Sequence, residues 1–160
     1  MLICSTKAMK RLNGEKGFES AIQKSFLISS DMAHALHPNY SEKHESLHGP
    51  LIHKGLVVKY NCNQRYATSM ATSFHLTELA RKLNIPLQKF VVRNDSPCGS
   101  TIGPILATAC GIRAVDVGIP QLSMHSIREV CGVKDVVSAT NLFTAFYENF
   151  VKLDATFKVD

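Results

Sequence analysis

The chain has 160 residues, of which 45% are hydrophobic and 19% charged, and it carries a net charge of +5. That length suits one domain, and that composition excludes a disordered chain. No stretch approaches the roughly 20 apolar residues of a helical membrane span, so no membrane role is expected.

Residues 1–16 read as a loose, basic lead-in. Lys7, Lys10, Arg11, Lys16 and Lys24 gather there and just beyond, without a platform of aromatic residues among them. A solvated end is therefore expected rather than a nucleic-acid surface. Residues 17–160 read as the folded unit. Phe18, Ala21, Ile22 and Ser25 recur at helical spacing, which predicts a short helix over 17–24. The apolar run 26–30 is a strand, and it reads as central in a sheet. A polar connection at 33–50 carries His34, His37, His44 and His48. Residues 51–60 read as a strand pair or one strand bent at Gly55, and 61–65 as a turn. A helix is expected over 66–83, with Met70, Phe74, Leu76, Leu79, Ala80 and Leu83 inward and Asn84 and Pro86 ending it. Residues 90–92 form another strand, followed by a polar run at 93–104 and a helix at 105–110. Then come a strand at 112–117, a loop at 118–125 and a helical turn at 126–129. A last helix over 133–151 is expected to place Val136, Val137, Thr140, Phe143, Phe146, Tyr147 and Phe150 inward. Strands alternating with helices predict an α/β fold with a partial mixed sheet flanked by helices.

Three strand ends carry polar groups. Asp31 and His34 follow the first strand, 93–100 follows a later one, and His125 lies beyond the last. In α/β folds the carboxyl ends of strands are where ligands bind. A carboxylate and an imidazole brought to one rim make a normal zinc ligand pair. The plainer alternative is a polar strand end, with Asp31 capping a turn and the histidines partly solvated. The run Gly99-Ser100-Thr101-Ile102-Gly103 is either an anion cradle at a helix start or a helix-entry turn. Lys59 at a strand end is a solvated edge lysine or, facing inward, a partner for a carboxylate. Tyr66 is a packing residue with a wet hydroxyl. The five cysteines are scattered without a CxxC pair, which excludes a zinc knuckle. Reduced thiols in a cytoplasmic setting are expected.

Four stretches together resemble the M18 aspartyl aminopeptidases, a family of zinc metallopeptidases. They are Ser30-Asp31-Met32-Ala33-His34-Ala35-Leu36-His37-Pro38-Asn39-Tyr40, Asn63-Gln64-Arg65-Tyr66-Ala67-Thr68, the run from Val92 to Pro104, and the run from Pro120 to Glu129. The resemblance implies a zinc-dependent exopeptidase catalytic domain of the phosphorylase/hydrolase-like class. It implies removal of N-terminal Asp or Glu from peptides, with two zinc ions bridged by an aspartate and a water. By motif, Asp31 would ligate one zinc and His125 the other, while His34, Lys59 and Tyr66 would contact substrate. The family's other metal ligands and its general-base glutamate match nothing here, and there is no Glu-Glu pair. No catalytic residue is therefore expected within the chain, which resembles the carboxyl-terminal part of the catalytic domain. The family also implies a homo-oligomer of the dodecamer type. The alternative is a non-catalytic subunit or pseudoenzyme that associates with full-length protomers.

Overall fold

The computed structural model describes residues 7, 8, 10–12 and 14–157; half of the expected lead-in at 1–16 falls outside them. Four helices are described, α1 (Glu15–Gln23), α2 (Met70–Leu83), α3 (Ile102–Cys110) and α4 (Val133–Thr156). The strands are β1 (Phe26–Ser30), β2 (Ala33–His34), β3 (Leu56–Tyr60), β4 (Leu87–Val91), β5 (Arg113–Gly118), β6 (Pro120–Leu122) and β7 (Val130–Cys131).

The main sheet has the order β1-β5-β3-β4. β1 runs parallel to β5 and β3 parallel to β4, while β3 and β5 are antiparallel. The sheet is mixed, as expected, but β1 is an edge strand rather than a central one. Its apolar residues report what covers the sheet faces and not how many neighbours the strand has. The burial patterns make the distinction: β3 and β5 are almost continuously buried, whereas three of the five β1 residues are only half-buried.

Side chains alternate across β3. Leu56 and Val58 join Val115 and Val117 of β5 in a core with Leu76, Leu79 and Ala80 of α2 and Ala139, Leu142, Ala145 and Phe146 of α4. Val57 faces the other way, into a smaller cluster with Ala33, Tyr66, Phe90 and Val92. Lys59 has the parity of Val57 and so points to that second face.

Helix α2 begins four residues later than its apolar pattern suggests. Ser69 and Thr72 form a reciprocal capping box there, with Thr72 N–H donating to Ser69 Oγ at 3.1 Å and Ser69 N–H to Thr72 Oγ1 at 2.9 Å. Asn84 ends the helix in the left-handed region at φ 53°. Met70, Phe74 and Leu83 do not face the core as expected; Met70 is 87% exposed. Helix α4 corrects its expected face in the same way. Its buried stripe is Asp135, Ser138, Ala139, Leu142, Ala145, Phe146 and Leu153, while Val136, Val137 and Tyr147 are exposed. Small residues let α4 lie close to the sheet, so reading only the large apolar residues selects the wrong stripe. Helix α3 starts at Ile102 and β4 at Leu87, each three residues earlier than expected. The 118–125 loop contains β6, and no helical turn forms at 126–129.

Asp154 of α4 fastens the open end of the sheet. It accepts Arg113 Nη2–H at 2.9 Å and His75 Nε2–H at 3.0 Å, and His75 is buried. The Arg113 guanidinium, ahead of His75, holds the Asp154 carboxyl below the usual carboxylate range. A lowered folded pKa means that the unfolded chain takes up the proton first. This stabilisation is therefore complete at neutral pH and lost as the pH falls through the acid range. Asp154→Asn is expected to cost about 2 kcal/mol in urea unfolding at pH 7. The gap to wild type should close on acidification.

Candidate acid-recognition and metal site

Beyond the end of the main sheet, the chain after β1 stays zipped to the chain after β5. Asp31 N–H donates to Val117 O at 3.0 Å, Ala33 N–H to Ile119 O at 2.9 Å and Ala35 N–H to Gln121 O at 2.8 Å. β2 pairs with β6, with His34 opposite Gln121. This brings the Asp31–His34 segment to the same rim as the turn that follows β6. That turn has two left-handed corners, Ser123 at φ 58° and His125 at φ 69°. The His125 N–H donates to the Glu129 carboxylate, which closes the turn in place of a helix.

The electrostatics join these residues into one neighbourhood. Burial lowers the pKa of His34, and the charges of His44, His125 and Lys59 lower it further. Burial also lowers Lys59, while Asp31 and Asp116 pull it back up. Tyr66 is raised by burial first, then by the Cys98 thiol beside it, so its hydroxyl stays protonated and can donate. The Lys59 ammonium lies 5.0 Å from the centre of the Tyr66 ring and donates to Met32 O at 3.2 Å. Asp31, His34, Lys59, Tyr66 and His125 are thus gathered on one rim. Lys59 is not a solvated edge lysine. It sits on a central strand at 2% exposure with a single acceptor among the described residues. Tyr66, read as a packing residue with a wet hydroxyl, is buried and precedes α2 rather than starting it.

Sequence reasoning missed Asp116, which is 0% exposed on β5. Its carboxylate accepts the Ala67 N–H at 2.5 Å and the Thr101 hydroxyl at 2.6 Å. Its own N–H donates to Thr68 Oγ1 at 2.9 Å. It therefore ties the segment carrying Tyr66 and the start of α3 to the central strand. A charged residue between Val115 and Val117 in a buried strand is the signal that would have found it. The 99–103 run is a helix-entry turn. Thr101 binds Asp116, the Ser100 hydroxyl binds Arg65 O, and a carboxylate lies against Gly103 where an anion would have to approach.

Another motif also went unread. His44-Glu45-Ser46-Leu47-His48 has the spacing of a helical zinc site, in which the helix puts both imidazoles on one face. Here Ser41–Lys43 is a single 3-10 turn and no helix follows. His48 pairs with Glu45, and His44 Nε2 binds His34 O at 3.3 Å.

Among the described residues no three His, Cys, Asp or Glu side chains converge to hold a metal ion. Asp31 and His125 offer one carboxylate and one imidazole. Those donor types suit zinc, but their number falls short of the three protein ligands a catalytic zinc takes. The residues present do not by themselves complete a zinc site.

Comparison with known proteins places this chain in a family. Residues 4–147 match the family model of the aminopeptidase I zinc metalloproteases, and the chain belongs to this M18 family. Within it, the relatives of high identity are aspartyl aminopeptidases. A probable aspartyl aminopeptidase of Ricinus communis is 63% identical over 91% of this chain and 30% of its own length. The aspartyl aminopeptidase of Caenorhabditis elegans is 60% identical over 82% of this chain and 28% of its own. Among solved structures, a chain of the Ape4 and Nbr1 complex superposes with a TM-score of 0.87 at 52% identity, covering 89% of this chain and 27% of that one. The Saccharomyces cerevisiae mApe1 dodecamer gives 0.79 at 31% identity, covering 89% and 31%. The chain thus spans about 30% of the length of the curated relatives it matches. Among the described residues no helix is long and apolar enough to cross a membrane.

Proposed function

We propose that residues 17–160 form the carboxyl-terminal part of an aspartyl aminopeptidase catalytic domain, the part that recognises an N-terminal Asp or Glu of a peptide. The observation that carries this reading is Lys59. A buried ammonium with one carbonyl acceptor among the described residues has donors to spare, and a carboxylate side chain satisfies them with a charge-assisted pair. Tyr66 walls this position and offers a protonated hydroxyl, while His34 is held neutral beside it. Asp31 and His125 would each contribute one ligand to a different zinc ion. When bound, zinc supplies an activated water and polarises the scissile carbonyl. The other ligands and the glutamate base would come from parts of the family's longer chain that lie outside this segment, and the complete protein would form a homo-oligomer in a cytoplasmic setting that keeps the thiols reduced.

The second reading, a non-catalytic subunit that pairs with full-length protomers, is favoured by the shortage of metal donors among the described residues. Both readings predict weak zinc binding and near-background release of N-terminal Asp by the purified chain. Calorimetric zinc titration with a turnover assay tests this. Efficient turnover would overturn the ligand count, and turnover of N-terminal Leu but not Asp would overturn the role of Lys59. Adding full-length protomers separates the two readings. A pseudoenzyme subunit co-assembles without adding activity.

A further inference from the structure

We infer that the cavity adjoining this rim receives the second residue of the peptide and selects an apolar side chain there. The inference rests on the reading that Lys59 binds the acidic first residue. The cavity measures about 620 Å³ and is continuous with the rim through His34, which lines both. Ala35, Phe90, Val92, Pro97 and Leu122 give it an apolar wall. Gln121 lines it as well. Gln121 is only 4% exposed, and its carboxamide, which makes no hydrogen bond to another described residue, opens onto the cavity. Its backbone carbonyl is already occupied by the Ala35 N–H, so the free polar groups are those of the side chain.

This carboxamide faces the cavity with its hydrogen-bonding groups uncommitted. It offers an N–H donor and a carbonyl acceptor from one planar group. A peptide unit presents the complementary N–H and C=O, so the carboxamide is suited to hold the main chain of the second residue. The charges explain why an acidic side chain is not favoured in the cavity. Arg93 is engaged by Asp95 at 2.9 Å and by Glu42 O at 2.7 Å, and Lys43 is exposed at the mouth. Among the described residues that line the cavity no free buried cation meets an incoming carboxylate, whereas an apolar side chain meets apolar walls.

The test is calorimetric or NMR titration of the full chain with Asp-Leu, Asp-Gly and free aspartate. Asp-Leu should bind about tenfold more tightly than Asp-Gly, a hydrophobic-pocket effect of ordinary size. Leu122→Ser should reduce that ratio to about threefold or less. Gln121→Met, close in volume, should weaken both dipeptides about tenfold, leave free aspartate unaffected and leave the thermal midpoint unchanged. Equal binding of Asp-Leu and Asp-Gly by wild type would overturn the inference, as would a Gln121→Met variant that binds both as wild type does. Lys59→Met separates the two levels. If it abolishes Asp-Gly binding while the wild-type Leu-to-Gly ratio is near one, only the cavity assignment falls. If Asp-Gly binding survives it, the acid reading falls. If neither dipeptide binds the wild-type chain, both fall.

Discussion

Lys59→Met is expected to erase the preference for N-terminal Asp over Asn peptides. Methionine keeps roughly the stem volume of lysine on β3, so the neighbouring strands need not move. What it removes is the ammonium that faces the rim from a site at 2% exposure, with only Met32 O as acceptor among the described residues. Charge-assisted hydrogen bonds contribute about 2 kcal/mol each, so the loss should be about thirtyfold for Asp and near zero for Asn. Peptide titrations with the two dipeptide series measure it. The same substitution carries a pH signature. Burial lowers the folded pKa of Lys59, so the folded lysine releases its proton at a lower pH than the unfolded one. Between those two values the unfolded chain holds more protons. Raising the pH through that alkaline window therefore stabilises wild type relative to Lys59→Met. Denaturant unfolding at two alkaline pH values should show the difference shifting toward wild type. A pH-independent difference would contradict the burial argument.

Gly118→Ala is expected to be the most damaging small substitution at the site. An added Cβ would lie 2.0 Å from Asp31 O, 2.7 Å from Met32 C and 2.8 Å from Ala33 N. All three are backbone atoms, so no rotamer change relieves the contact. The chain after β1 would have to separate from the chain after β5, breaking the Asp31–Val117 and Ala33–Ile119 hydrogen bonds. A cost of about 3 kcal/mol is expected, together with loss of Asp-peptide binding as Asp31 and His34 move away from Lys59. Gly99→Ala is the matched control. Its added Cβ meets nothing within 4 Å, and the change should stay within about 0.5 kcal/mol. Thermal and urea unfolding of the two variants make the comparison.

The alternation of strands and helices was legible from periodicity, and so was the placing of polar groups at strand ends. Two things were not. One is which face of a helix is buried when small residues make the contact, as Ser138, Ala139 and Ala145 do on α4. Large apolar residues draw the eye to Val137 and Tyr147, which face outward. The other is the pairing order of strands. β1 looks central because it is apolar, yet β5 and β3 hold the middle through contacts far apart in sequence. At the site, the motifs named Asp31, His34, Lys59, Tyr66 and His125, but spacing could not reveal what organises them. Asp116 acts through a backbone N–H at Ala67 and a hydroxyl at Thr101, partners that no local pattern connects. Gln121 emerged only because its carboxamide opens onto the cavity beside His34, which requires coordinates. The His44–His48 spacing is the converse case. It has the right residues without the helix that would make them a metal site.

The most direct measurement is an NMR titration of the metal-free wild-type chain with Asp-Gly and, separately, Asn-Gly. The account predicts that Asp-Gly binds at least about tenfold more tightly, with perturbations centred on Lys59, Tyr66 and His34. Equal binding of the two dipeptides, or perturbations confined to another face of the sheet, would contradict it.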